Sequence, residues 1–134
     1  MEQVNIKKIS MVLFCLYILA VCILCFMKPD DLPQVERTFF GIPLDKVAHF
    51  LMFLPFPILS SIPFMNDCKS MKINISLLAI FSIPGAGFAF GTEVLQEFTR
   101  YRSRETADLI ADIAGIATGS ISTTAYLIHK NRKS

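Results

Sequence analysis

From Ile9 to Met27 the chain carries no charged residue. At 1.5 Å per residue a helix over this run would be about 28 Å long, enough to cross the hydrocarbon core of a bilayer. A secretory leader would open the same way, but its apolar stretch is shorter and a small-x-small cleavage site should follow. Here the chain continues Met27-Lys28-Pro29-Asp30-Asp31-Leu32-Pro33. The segment is therefore expected to be a retained span, closed by Lys28 and Pro29.

Once one span is accepted, the rest of the chain divides in the same terms. Apolar residues make up 53% of it and charged ones 18%, which places the whole chain among membrane proteins as a single domain, 1–134. Further spans are expected over about 44–65, 73–98 and 107–128. The fold class is then all-α, a polytopic membrane protein of four transmembrane helices with both termini on the same side. Pro55, Pro57 and Pro63 would break a soluble helix, but neighbouring membrane helices can satisfy the carbonyls they free, so a kink is expected near Pro57. Pro84-Gly85-Ala86-Gly87 predicts a bend where another helix approaches, and Gly87 with Gly91 adds a small-xxx-small pair. Such small-residue faces would suit a homodimer. Between the first two spans, Thr38-Phe39-Phe40-Gly41-Ile42-Pro43 is apolar enough to lie along the interface or re-enter it.

The formal charge of +2 is too small, and its basic residues too dispersed, for nucleic-acid binding. Cys15, Cys22 and Cys25 sit in an apolar run and Cys68 in a short loop, which fits neither redox nor metal chemistry. Lys and Arg divide almost evenly between the two sides. The lysines near the termini and in the turn at 66–72 lie in short, simple segments, and this favours cytoplasmic termini.

Charge is concentrated where spans two, three and four open on a shared side. Asp45 and His49 begin the second span, Glu93, Gln96 and Glu97 close the third, and Asp108 and Asp112 begin the fourth. Each set has i,i+3 or i,i+4 spacing and so occupies one helix face. His49, Glu93 and Asp112 fall at a matching depth, roughly 6–8 Å inside the helix mouths. An acid near a bilayer centre costs about 2.5–3.5 kcal/mol on insertion scales, so these groups are expected to face the bundle and each other. On the fourth span Asp108, Ala111, Asp112, Gly115, Gly119 and Ser122 share a stripe of roughly 80°, and Gly115 and Gly119 would let a partner helix pack tightly.

Two stretches resemble a known family. Leu44-Asp45-Lys46-Val47-Ala48-His49-Phe50 is similar to one signature of the VanZ-like membrane proteins. Glu93-x-x-Gln96-x-Phe98-x-x-Tyr101-Arg102-x-x-Glu105-x-x-Asp108, continuing through Ala111-Asp112-x-x-Gly115-x-x-x-Gly119, is similar to a second. Asp112 stands where many members of that family carry Asn, and its charge favours an ion pair or a bound cation. Arg102 aligns with the family's basic position, and Arg104 could also supply it. The resemblance implies a small, four-helix protein of the bacterial inner membrane, in a family named for a link to teicoplanin resistance. It implies a context and not a reaction.

The residues themselves suggest a non-enzymatic envelope protein. Its polar outer-leaflet site, drawn from Asp45, His49, Glu93, Gln96, Glu97, Arg102, Arg104, Asp108 and Asp112, would bind a membrane lipid or lipid-linked envelope precursor. The arginines would meet a phosphate or carboxylate at its rim. No cofactor is expected. The alternative is an intramembrane enzyme acting on a lipid head group, with His49 or Glu93 as acid–base residue. Asp45, His49, Glu93, Asp108 and Asp112 offer enough ligand atoms for a metal, but HExxH and DxDGxE spacings are absent and none is expected. A small proton-coupled transporter is a further alternative, although four spans are few for alternating access.

Overall fold

The computed structural model describes residues 2–27, 38–65, 70–99 and 105–133, and it is almost entirely helical. Helix α1 covers Glu2–Phe26. A small hairpin of β1 (Thr38–Phe39) and β2 (Ile42–Pro43) leads directly into α2 (Leu44–Phe53) and then α3 (Phe56–Met65). Helices α4 (Met71–Phe98) and α5 (Thr106–Lys133) complete the chain. Three stretches are long and apolar enough to cross a membrane: Val4–Phe26, Leu44–Phe64 and Met71–Phe98. Helix α5 matches α4 in length, but Asp108, Asp112 and its many Ser, Thr and Gly residues dilute its hydropathy.

The apolar interior is largely aromatic. Phe53 and Phe56 approach Phe88 with ring centroids 5.8 and 6.2 Å apart, and Phe14 meets Phe56 edge-on at 5.7 Å. Such tilted and offset contacts hold α1, α2, α3 and α4 together by more than area alone. Gly85 belongs to this packing: a Cβ there would lie 2.7 Å from the Phe56 ring. The outer surface of α1 is nearly all aliphatic, with Leu13, Leu16 and Leu19 each more than half exposed. That pattern suits lipid rather than water.

The break in the second apolar stretch falls at Leu54–Pro55, two residues before Pro57, near which a kink is expected. Pro55 and Pro57 both lack an N–H, so α2 ends on the Leu54 N–H to Phe50 carbonyl bond, 3.0 Å, and α3 restarts with Leu59 N–H to Pro55 carbonyl, 3.0 Å. Ser60 and Ser61, both buried, return their hydroxyls to the Phe56 and Pro57 carbonyls at 2.7 and 2.6 Å. No water is needed to satisfy them there.

Helix α5 lies chiefly against α2 and α4, and its glycines explain how. A Cβ on Gly115 would strike the Phe50 carbonyl oxygen, and one on Gly119 the Leu54 carbonyl oxygen. The two glycines therefore seat α5 on the backbone at the α2–α3 break. The expected inward stripe is nearly the one observed, with two exceptions: Ser122 is exposed, and Ile116 is buried among the core residues. Helix α4 is one helix through Pro84, and its neighbours approach closely there, since a Cβ on Gly85 would strike the Phe56 ring and lie 3.3 Å from Ile116. A Cβ at Gly87 or Gly91, by contrast, would meet nothing within 4 Å. That small-residue pair packs against no other described part of this chain.

The apolar stretch at 38–43 forms the β1–β2 hairpin, with all six residues exposed. Its turn residues Phe40 and Gly41 have φ of 51° and 79°. Positive φ at both central positions is the left-handed turn whose twist matches antiparallel strands. Glycine adopts it freely and phenylalanine does not. Phe39 and Phe40 stand exposed at the tip, their rings edge-to-face at 4.7 Å.

Candidate functional site

On α2, Lys46, His49, Phe50 and Phe53 follow i, i+3, i+4, i+7 spacing and turn inward. Asp45 sits on the shoulder of that face and stays exposed. On α4 the inward row is Ala89, Thr92, Glu93 and Gln96, and on α5 it is Asp108, Asp112, Gly115 and Gly119. The close seating of α5 brings the three rows together. Polar groups meet in two adjoining layers.

The outer layer is built on Lys46. Its ammonium contacts Asp45 Oδ2 at 2.9 Å and pairs with the carboxylates of Glu105 and Asp108. Neither Lys46 nor Glu105 was among the candidate site residues, although Lys46 lies i,i+3 from His49. A lysine at a helix mouth reads as an interfacial anchor, and its three acidic partners become visible only when α2 and α5 are side by side.

The inner layer comprises His49, Glu93 and Asp112, exposed by 1%, 0% and 0%. One ligand atom from each lies within 4.8 Å of the other two. His49 Nδ1 and Asp112 Oδ1 are hydrogen-bonded at 2.9 Å. An N–H donated from Nδ1 to this carboxylate fixes the ring and leaves the lone pair on Nε2. That Nε2 is 3.7 Å from Asp108 Oδ2, too long for a hydrogen bond, so Asp108 touches both layers without closing the inner one. His49 Nε2, Asp112 Oδ2 and both oxygens of Glu93 are buried with no hydrogen-bond partner among the described residues.

Two carboxylates this close repel by at least roughly 3 kcal/mol at an effective dielectric of 20. Each buried polar atom without a partner adds about 1–3 kcal/mol. The nearest described ammonium, Lys46, is already occupied by three carboxylates of the outer layer. Chemically, the inner layer is a pocket with more acceptors than donors among the described residues.

The remaining candidates divide clearly. Gln96 is buried but belongs to the scaffold, donating from Nε2 to the Cys25 carbonyl at 2.7 Å and so tying α4 to the end of α1. Glu97 is exposed near the end of α4 and belongs to neither layer. Arg102 and Arg104 lie outside the described residues. Tyr17, on α1, was not anticipated. Its hydroxyl donates to the Met52 carbonyl one turn from the α2–α3 break, a contact between distant segments that no periodicity announces.

Beside the outer layer an apolar groove of about 320 Å³ is lined by Ile42, Val47, Phe50 and Ala111, with Lys46 at its edge.

No protein-family model matches the chain, and neither a curated protein nor a solved structure matches it.

Proposed function

We propose that this chain is a four-span protein of the bacterial inner membrane, with cytoplasmic termini, that binds an amphiphilic or lipid-linked molecule at its polar mouth. The observation carrying the reading is the inner layer: three helices bury four polar atoms that have no hydrogen-bond partner among the described residues, and a ligand bearing donors would satisfy them. The groove at Ile42, Val47, Phe50 and Ala111 supports it by offering an apolar track beside the charges, as an acyl or isoprenyl chain requires. Arg102, in the segment that follows α4, would meet a head-group phosphate. Helix α5 serves as the fourth span because its outward residues Ile110, Ile113 and Ile121 are exposed and aliphatic, and its last turn carries Lys130, Arg132 and Lys133. The two VanZ-like signatures favour the same setting and extend the proposal to an effect on teicoplanin susceptibility.

Mass spectrometry of lipids retained by the protein after purification in nanodiscs tests this. The wild type should hold one amphiphile class well above its share of the bulk lipid, and Arg102→Ala and Asp112→Leu should release it. A retained fraction that merely mirrors the bulk lipid would refute the proposal.

One observation favours a second reading. The Asp112–His49 pair leaves Nε2 unpartnered, which is the arrangement of an oriented general base. As an enzyme the protein would convert an added phospholipid or isoprenyl phosphate, and both His49→Ala and Glu93→Gln would abolish the reaction.

A further inference from the structure

We propose that His49, Glu93 and Asp112 form a binding site for a divalent transition-metal ion, of the Zn²⁺ or Mn²⁺ type. This places an ion within the head-group site proposed above, and it rests on that reading only for what fills the ion's open positions.

The donor set comes first. One imidazole and two carboxylates suit zinc and its neighbours, whereas an all-oxygen set would suit calcium or magnesium. Their ligand atoms lie within 4.8 Å of one another. Around a tetrahedral ion with bonds of about 2.0–2.2 Å they would be roughly 3.3–3.6 Å apart, so side-chain rotation closes the site without moving a helix.

A second observation is independent of that clustering. Glu93 is 0% exposed, and among the described residues no side chain donates a hydrogen bond to either of its oxygens, the Glu105 backbone being the one group that approaches it. A structural carboxylate buried in this way is ordinarily held by two or three donors. Glu93 instead has a ligand atom within 4.8 Å of one on His49 and one on Asp112. A divalent ion taking the place of the Nδ1 proton between His49 and Asp112 would meet both of those residues and Glu93, and its charge would equal that of the two carboxylates.

The surroundings agree. Three protein ligands leave at least one position open, which distinguishes ligand-binding metal sites from closed structural ones. A phosphate oxygen of the proposed amphiphile would fit there. Asp45, Glu105 and Asp108 form an acidic approach from the surface, with Asp108 3.7 Å from His49 Nε2 at its inner end. The linear signature is missing for a simple reason. Each ligand comes from a different helix, so no HExxH-like spacing could mark the site.

The test is a titration of the full-length protein, stripped with chelator and held in detergent micelles, using Zn²⁺, Mn²⁺ and Co²⁺ separately. Binding at one equivalent is expected, with four-coordinate Co²⁺ giving visible ligand-field absorption. His49→Ala and Glu93→Gln should each weaken binding by about 100-fold or more, since even outer-shell losses cost 10–100-fold. Glu105→Gln, which alters only the acidic approach, should retain one equivalent. Absence of saturable binding by the wild type overturns the proposal whether or not the variants fold. Binding that survives Glu93→Gln but is lost with Glu105→Gln overturns it in favour of the outer carboxylates. Mass spectrometry of lipids on the same sample separates the two readings. Metal without a selected amphiphile leaves the ion site standing and removes the head-group reading, and an amphiphile without metal does the reverse.

Discussion

Adding one methyl group at Gly115 should open the inner layer from a distance. In Gly115→Ala the new Cβ would press on the Phe50 carbonyl oxygen and lie 3.2 Å from the Leu54 nitrogen. These are backbone atoms and cannot rotate aside, so α5 has to retreat by about 1 Å to regain van der Waals separation. Asp112 lies one turn before Gly115 on α5. A shift of that size lengthens its 2.9 Å bond to His49 beyond hydrogen-bonding range. Overpacking costs about 1–3 kcal/mol and loss of the buried hydrogen bond about 1–3 more, offset by roughly 1 kcal/mol of helix propensity gained over glycine. The net loss should be about 1–5 kcal/mol. Gly87→Ala is the control, since a Cβ there meets nothing within 4 Å. Reversible unfolding in bicelles measures the stability difference, and ¹⁵N NMR of the His49 ring reports the hydrogen bond. Equal stability of the two variants, or an unchanged Nδ1 resonance in Gly115→Ala, would refute the close approach of α5 to the α2–α3 break.

Two further outcomes are expected. Gln96→Leu keeps the volume of the side chain but removes its bond to the Cys25 carbonyl, and it should cost about 0.5–1.5 kcal/mol in the same unfolding assay while leaving metal stoichiometry unchanged. For topology, single cysteines at Thr38 and Thr106 should react with an impermeant maleimide from one side of the membrane, and those at Ser70 and Asn131 from the other, in a cysteine-free background. Opposite-side labelling of positions 38 and 106 would eliminate the four-span arrangement.

The long apolar stretches were legible because a charge-free run leaves a helix few alternatives to lipid. So was the inward pointing of His49, Glu93 and Asp112, because a charge set among aliphatic residues at helical spacing has one affordable direction. Lys46 was not legible as part of the site. Its role depends on Glu105 and Asp108, 59 and 62 residues away in the chain, and sequence spacing carries no record of such distances. The hairpin was hidden for a different reason. Its turn lacks the Asn-Gly or Asp-Gly pair that normally marks positive φ, and Phe40 adopts that conformation at a steric cost. The kink near Pro57 was legible because Pro55 and Pro57 both lack an N–H, whereas the seating of Gly115 and Gly119 on the Phe50 and Leu54 carbonyls beside it was not.

The hairpin also sets a reference level. Pro43 ends β2 and Leu44 begins α2 with no linker between them. His49 therefore lies about 7.5 Å along α2 from Leu44, where the hairpin that carries the Phe39 and Phe40 rings joins the helix. With those rings resting in the head-group region, the inner layer is gauged from the near leaflet alone. A thicker or thinner bilayer would then leave its depth unchanged, and the mismatch would be taken up at the far end of the bundle, where Lys130, Arg132 and Lys133 can extend or fold back along α5.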